Sequence, residues 1–422
     1  MADDQLPEQG VDSQVALMTS EKTSAGQAVG MFTSEKSLNP GGAMTRSRKE
    51  QIALDEAMEE KWWITWPSLE KRVKNSRWLG FTISRDQTAK LWDFDDRDHK
   101  MRGTFNGEGT DRVHEAPIMV AALSWPHRRG VTGAKDGTLA LWNLETQELI
   151  NSFLSGKYGP FTAMDADFDN KRLLTGSGEG FLCIWDVERL RHLKCIQAHD
   201  GSKIAIVRAY WPENRGITCA FDGRIRMWDL LKTTILGTFD IHEGPITAVT
   251  LDFESVLVLS GDDDGMLHYW NMDSRMSLAM LRGHEDRINV IRADFEQDIA
   301  ITASNDETAR IWTISNGRCV GTLVGHTQPV RDVQVDFENE LAITCSDDMS
   351  IRFWNLSTFT CTDVIGGEHL GRINIIRARF DQEPPMMVST SDDYTLRLWN
   401  LHTKKCEELL ASHFGKITNL LM

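Results

Sequence analysis

Eight tryptophans, each preceded by an apolar residue, recur at positions 92, 142, 185, 228, 270, 312, 354 and 399. The steps between them are 50, 43, 43, 42, 42, 42 and 45 residues. A period of that length constrains a chain more tightly than any composition does. Each repeat must be one supersecondary unit that buries its apolar faces against its neighbours. Other residues keep the same time. Six residues before each tryptophan stands an acid: Asp86, Asp136, Glu179, Asp222, Asp264, Asp306, Asp348 and Asp393. Four residues earlier again there is always a hydroxyl: Thr82, Thr132, Thr175, Thr218, Ser260, Thr302, Thr344 or Ser389. Some twenty-two residues upstream of the acid a histidine recurs, as His114, His199, His242, His284, His326 and His369.

Between histidine and tryptophan lie three short runs rich in β-branched or aromatic residues and bounded by Gly or Asp, as in IHEGPITAVTLDF, SVLVLSGDDDG and MLHYWN. A fourth run, such as SRMSLAMLRG, follows the tryptophan. This pattern predicts four antiparallel strands per repeat, a blade, and a radial array of blades leaves only short, protected strand edges. Within a blade the Trp indole N–H, the hydroxyl, the His and the turn acid can satisfy one another, as buried polar groups must be satisfied.

The register resembles the WD-repeat family, whose signature is Gly-His, a variable stretch, then Trp-Asp. The literal pair stands at Trp92-Asp93, Trp185-Asp186 and Trp228-Asp229; it relaxes to Trp-Asn at 142, 270, 354 and 399 and to Trp312-Thr313. Gly-His is intact at Gly283-His284 and Gly325-His326. The resemblance implies an all-β, eight-bladed propeller over residues 78–422. Its first blade has runs WLGFTIS, AKLWDF and KMRGTF but no inner strand upstream. The end of the chain, ASHFGKITNLLM, copies IHEGPITAVTL and brings a further histidine, His413, so the C-terminal strand is expected to complete the first blade and close the ring. A seven-bladed ring with one stray repeat is the alternative.

Residues 1–45 contain one aromatic, Phe32, and no hydrophobic period, which predicts a disordered arm. The arm holds a duplication, VALMTSEKT at 15–23 and VGMFTSEKS at 29–37, read either as slippage or as a bivalent motif. In residues 46–77, Ser47 and Glu50 form a capping box ahead of Leu54, Met58 and Trp62, with Pro67 as a stop; a short helix is expected. It would pack on the propeller, a coiled-coil handle being the alternative. Trp62, Trp63, Trp66 and Trp78 interleave with Lys61, Lys71, Arg72, Lys74 and Arg77, which suits a packed aromatic cluster better than a nucleic-acid surface.

The chain has 422 residues, 62 acidic against 46 basic side chains and a net charge of −16, which argues against a protein that neutralises phosphate backbones. Seven cysteines, at 183, 195, 219, 319, 345, 361 and 406, show no C-x-x-C spacing. They predict reduced, mostly buried thiols in a cytoplasmic or nuclear protein, without a zinc site. No signal, transit or membrane-spanning segment is apparent, so a soluble protein with no direct membrane insertion is expected.

A recurring His, Ser/Thr and Asp set looks triad-like, but a catalytic set is needed once and a fold-stabilising one in every blade. Gly176-Ser-Gly-Glu-Gly180 sits on a strand-to-strand turn with no Lys-Ser/Thr after it, and Asp262-Asp-Asp-Gly265 lacks the alternate spacing of a calcium loop. Neither an enzyme nor a cofactor is expected. The third blade departs from the pattern, with Lys157 at the histidine position and Glu179 at the acid, suggesting a Lys–Glu pair or a looser blade. Between the first two blades the polar stretch Asn106–Arg112 is inserted.

Partners are expected to be proteins or peptides, and not nucleic acid. Residues just before the turn acids are Arg85, Lys135, Gly178, Phe221, Asp263, Asn305, Asp347 and Asp392, which predicts a face basic on one side, acidic on the other, with Phe221 between. The fifth inner-strand residues are Ala122, Asp165, Arg208, Thr250, Arg292, Gln334, Arg377 and Leu421. Arg208, Arg292 and Arg377 are thus read either as neutralised by neighbours such as Asp165 or by water, or as candidates for a channel pocket that takes a carboxylate or phosphorylated side chain. The expected function is a non-catalytic scaffold or adaptor. The alternatives are a structural subunit of a large cytoskeletal or membrane-associated complex, or a ubiquitin-ligase substrate receptor; against the latter, no F-box is recognisable and Arg189 lies one place late for a Trp-Asp-x-Arg signature.

Overall fold

The computed structural model describes residues 77–95, 101–106, 113–154, 157–411 and 413–422. The expected arm, the short helix with its capping box, the Lys–Trp cluster up to residue 76 and the body of the 106–112 insertion lie outside the described residues. The described chain forms eight four-stranded antiparallel sheets and a single 3-10 turn, Trp211–Glu213. Seven of the blades are consecutive in sequence. Their inner strands are Ile118–Ser124, Phe161–Asp167, Ile204–Tyr210, Ile246–Asp252, Ile288–Asp294, Val330–Asp336 and Ile373–Arg379, and we number these blades 2 to 8. Blade 1 is Leu79–Ser84, Ala89–Asp93 and Met101–Phe105, with Ile417–Leu421 as its inner strand, paired through Phe81 with Leu421 and Thr82 with Leu420.

Register explains the repeat. On the second strand of each blade, the residue two before the hydroxyl faces the tryptophan of the third strand, as Gly80 faces Trp92 and Ala300 faces Trp312. Hydroxyl and indole therefore share one face of the sheet. The pairing of third and outer strands slips immediately before the tryptophan in all eight blades, a bulge that adds local twist.

The core is not one mass but eight clusters, one per junction between neighbouring blades. Each tryptophan of the repeat is 0–3% exposed and packs against the adjoining sheet. Burying roughly 200 Å² of indole at about 25 cal/mol per Å² contributes about 5 kcal/mol per blade before conformational entropy is counted. The junction of blades 8 and 1 is built the same way: Ile417 and Leu420 of the last strand join Trp78, Trp92 and Phe94 with Val388, Leu396 and Leu398. Thr418 Oγ1 then donates to the Ile118 carbonyl of blade 2 at 2.8 Å. The same stitch links Thr162 to Ile204, Thr247 to Ile288 and Asn289 to Val330.

One expectation about the cysteines is corrected. Cys183 and Cys195 face each other on the third and outer strands of blade 3 and form a disulfide. No C-x-x-C spacing announces it, because the pairing comes from cross-strand register across a 12-residue separation. Of the other five, Cys219 and Cys345 are buried, Cys319 and Cys406 half-buried and Cys361 exposed. Among the described residues no helix is long and apolar enough to cross a membrane.

Candidate functional site

The recurring polar residues meet inside the blades. Trp312 Nε1 donates to Thr302 Oγ1 at 2.8 Å, Thr302 lies 2.6 Å from His284 Nε2, and His284 Nδ1 lies 2.6 Å from Asp306. Trp228, Thr218, His199 and Asp222 repeat the chain, as do Trp354, Thr344, His326 and Asp348. So do Trp399, Ser389, His369 and Asp393. In blade 1 the set spans the two ends of the chain: Trp92 donates to Thr82 at 2.9 Å, Thr82 is 2.8 Å from His413 Nε2, and His413 Nδ1 is 3.0 Å from Asp86.

Electrostatics follow from this geometry. Burial would raise the Asp86, Asp306, Asp348 and Asp393 carboxyls, but hydrogen bonds from the histidine, from the neighbouring Ser/Thr and from backbone N–H groups outweigh it and hold all four well below the usual carboxylate range. Burial pushes His199 and His284 down against the pull of their carboxylates. In blade 6, where both partners are shifted, the consistent state is a neutral His284 that accepts the Thr302 proton at Nε2 and donates from Nδ1 to an ionised Asp306.

Three blades differ. In blade 2, Trp142 donates to Thr132 and Thr132 is 2.7 Å from His114 Nε2, but His114 Nδ1 meets the Thr138 hydroxyl, which in turn donates to Asp136. His114, pushed down to about 4 by burial, therefore reaches Asp136 through Thr138.

In blade 5 the expected acid is corrected. Trp270 and His242 both reach Ser260, but His242 Nδ1 lies 2.8 Å from Asp262, and Asp264 is exposed. Asp262 occupies the position that Ser304, Ser346 and Ser391 fill elsewhere, where each accepts the N–H of the turn acid. As an aspartate it does both tasks, accepting from Asp264 N and Met266 N with one oxygen and facing His242 with the other.

Blade 3 keeps the Trp185–Thr175 bond at 2.8 Å without a histidine. No ion pair joins Lys157 to Glu179 among the described residues; both are exposed, and Tyr158 packs edge-on against Phe181 and His192 instead.

The surface expectations change as well. The acidic side of the face is neutralised: Arg287 pairs with Asp263 at 3.2 Å, Arg331 Nε with Asp347 at 2.7 Å and Lys416 with Asp392 at 2.8 Å. Arg85 and Lys135 are exposed, and Phe221 lies under Lys203, whose Nζ is 4.8 Å from the ring centroid. In the channel, Arg292 and Arg377 converge on Asp332, at 3.0 and 2.7 Å, and Asp332 also accepts the Ile376 N–H. Burial pushes Arg292 down to about 10, Asp332 opposing, so it remains charged at neutral pH. Arg208 donates to the Val207 carbonyl and its charge acts on Asp165, which burial raises to about 6. Asp332, which sequence reasoning missed, sits where other inner strands carry Val120, Ala163, Ile206, Ala248, Val290 and Ile375. Its separations from Arg292 and Arg377, 40 and 45 residues, are one repeat length each and were the available signal.

Ser124, His127 and Asp169 also align, at 2.8 and 3.3 Å. Ser124 occupies the end of an inner strand where Asp167, Asp294 and Asp336 cap the following turn, which makes it a turn residue. Among the described residues no group of His, Cys, Asp and Glu is arranged to hold a metal ion.

The family described as "WD domain, G-beta repeat" matches residues 148–186, 233–271, 275–313, 317–355 and 360–400. Among solved structures, the chain is similar to the computationally designed Ika8 protein, at a TM-score of 0.65 and 20% identity over 78% of this chain and 94% of that one. A likeness at that identity speaks for the fold alone. No curated protein matches the sequence.

Proposed function

The chain belongs to the WD-repeat β-propeller family, and from that premise we infer that it is a non-catalytic scaffold or adaptor that binds protein segments on the faces of its ring. The observation that carries this reading is how the polar chemistry is used. The recurring His, Ser/Thr, Asp and Trp groups are engaged with one another inside the blades, and the channel arginines Arg292 and Arg377 are engaged by Asp332. What varies from blade to blade is the loops on the face. Arg85, Lys135 and Phe221 belong to these loops and are its candidate contacts; Arg208, Arg292 and Arg377 act as the supports of the channel mouth. The C-terminal strand serves as the clasp that keeps the platform rigid. The working compartment is cytoplasmic, and the partners are proteins.

Proximity labelling with the full chain, followed by mass spectrometry, is expected to enrich a defined set of proteins and to lose part of it when Arg85→Glu, Lys135→Glu and Phe221→Ala are combined. A labelling profile indistinguishable from that of a freely diffusing control protein would remove this reading. Size-exclusion chromatography of native extracts separates a free adaptor, eluting near monomer mass, from a fixed subunit of a larger assembly.

A further inference from the structure

In five blades the residue after the histidine donates its backbone N–H to the turn acid. Glu115, Glu285 and Thr327 do so toward Asp136, Asp306 and Asp348. In the two adjacent blades 8 and 1 the same bond is made by Leu370, to Asp393 at 3.0 Å, and by Phe414, to Asp86 at 2.8 Å. With the backbone pinned in this way, these side chains are 84% and 94% exposed, the two highest values among the large apolar residues described.

The turns of the same sector share this character. The residue after the turn acid has positive φ in every blade, and it is glycine at 137, 180, 223 and 265. In blades 7 and 8 it is Met349, at φ 64°, and Tyr394, at φ 67°, which are 43% and 47% exposed. Bulky side chains are held there in a conformation that glycine adopts without steric cost.

Loops and turns alternate round the face in contact with one another. Arg372 of the blade 8 loop is 3.6 Å from Asp347 of the blade 7 turn, and Lys416 of the blade 1 loop is 2.8 Å from Asp392 of the blade 8 turn. Met349, Leu370, Tyr394 and Phe414 thus stand in order along one arc. Single exposed apolar residues are ordinary, whereas four large ones consecutive on one face mark an interaction surface.

The charges along the arc select its occupant. Arg85 is exposed, and no described acid forms an ion pair with it; Arg372 is more than half exposed. The loop position that Leu370 and Phe414 occupy carries Glu115, Asp200, Glu243 and Glu285 in other blades. On a chain with a net charge of −16, this sector sets its apolar side chains beside Arg85 and beside Arg372 and Lys416, which Asp347 and Asp392 already face, while those loops carry carboxylates.

We propose that the arc of Met349, Leu370, Tyr394 and Phe414, flanked by Arg85, Arg372 and Lys416, is the docking surface for a partner segment that presents bulky apolar side chains beside acidic ones. This rests on the platform reading above and assigns it a sector and a ligand chemistry. Apolar anchors supply burial at the centre, and rim cations set orientation and a salt-sensitive on-rate.

The test is selection of a random 12-residue peptide library displayed on phage against the full chain, with synthetic copies of the recovered sequences then measured by fluorescence anisotropy. Recovered peptides are expected to combine Trp, Phe or Leu with Asp or Glu. Leu370→Glu with Phe414→Glu should weaken them at least tenfold, and Arg85→Glu severalfold. Glu285→Gln should leave them unchanged. Both apolar side chains point to solvent, so the thermal midpoint of the double variant should match the parent; if it does not, Leu370→Ser with Phe414→Ser provides the same comparison.

Peptides that tolerate both double variants but are lost on Phe221→Ala would overturn the arc and leave the platform reading standing. Selection of no peptide at all would overturn both. A synthetic peptide of residues 10–40 that binds with the arc's mutational profile would make the occupant the chain's own N-terminal segment. Dimerisation in sedimentation that Phe414→Glu abolishes would make it a second copy. Either result overturns the assignment to an external partner.

Discussion

Replacing the hydroxyl in blade 1 tests whether the two ends of the chain meet in solution. Thr82→Val keeps shape and removes the oxygen that accepts from Trp92 at 2.9 Å and lies 2.8 Å from His413. Thr302→Val removes the same chemistry in blade 6, where Trp312 and His284 lie 2.8 and 2.6 Å away. Trp92 and Trp312 are 1% and 0% exposed, so neither indole N–H can turn to water. Leaving a buried donor unsatisfied costs about 1–3 kcal/mol, and each variant is expected to lose about 2 kcal/mol or more of stability. The two sites differ in chain separation, 331 residues for Thr82–His413 against 18 for Thr302–His284. Closure entropy scales as (3/2)RT ln n, so the first contact costs about 2.6 kcal/mol more to form, and blade 1 is where the ring opens first. Urea unfolding followed by tryptophan fluorescence gives the stabilities, and amide exchange at residues 417–421 gives the local opening. Equal losses, with faster exchange in 417–421 for Thr82→Val alone, are the expected outcome. A Thr82→Val cost under about 0.5 kcal/mol beside a full cost for Thr302→Val would mean that blade 1 is already open to water. The clasp would then be refuted.

Stability should fall with acid in two stages. His199 and His284 are lowered by burial, and His114 and His268, the latter buried on the third strand of blade 5 against His242 and Trp270, are lowered to about 4, so their contribution is complete above the unfolded histidine value and is lost as pH falls from about 6.5 toward 4. The depressed Asp86, Asp306, Asp348 and Asp393 add a second loss below about pH 4, while Asp165, raised to about 6, acts weakly in the opposite sense; thermal midpoints from pH 8 to 3 measure the sum. Asp332→Asn leaves Arg292 and Arg377 short of their shared carboxylate and should cost about 3 kcal/mol, whereas Arg85→Ala, on an exposed side chain, should cost less than about 0.5; urea midpoints separate the two. Alkylation of the denatured, unreduced protein should modify five of the seven cysteines, leaving Cys183 and Cys195 protected until reductant is added, as read by intact mass.

Most of the fold was legible because its central requirement is posed eight times. A blade that buries an indole N–H must bring a hydroxyl to the same sheet face, and second-to-third strand register fixes their spacing at ten residues, as in Thr82 to Trp92. That spacing is local, so the sequence displays it. Even the long-range step was readable, since the C-terminal HFGKIT copies the inner-strand pattern of blade 5 and lacks a blade of its own. Where the reading failed, two residues competed for one physical role. Asp262 and Asp264 are both acids of the same turn, and spacing from Trp270 favoured Asp264; but only Asp262, at the end of the second strand, is buried beside the imidazole. Cys183 and Cys195 were missed for the reverse reason. Their contact depends on the third-to-outer register, which the bulge before Trp185 shifts by one residue.

The candidate surfaces were less legible, because they depend on which charges remain after neighbouring blades have neutralised one another. Reading Asp263, Asp347 and Asp392 in isolation gave an acidic half-face. Each has a cation from an adjacent loop or inner strand, Arg287, Arg331 or Lys416, within 3.2 Å. The same neutralisation withdrew Arg292 and Arg377 as free anion receptors, since Asp332 holds both. What survives is a different kind of residue. Leu370 and Phe414 occupy backbone positions that Glu115, Glu285 and Thr327 fill elsewhere, with the same N–H bond to the turn acid. The blade's own stability is indifferent to that side chain, because it lies outside the buried network, and a position free of folding demands is where a repeat can carry binding specificity. A scan for departures from the repeat at exposed, backbone-pinned positions therefore reads function more directly than a scan for charge.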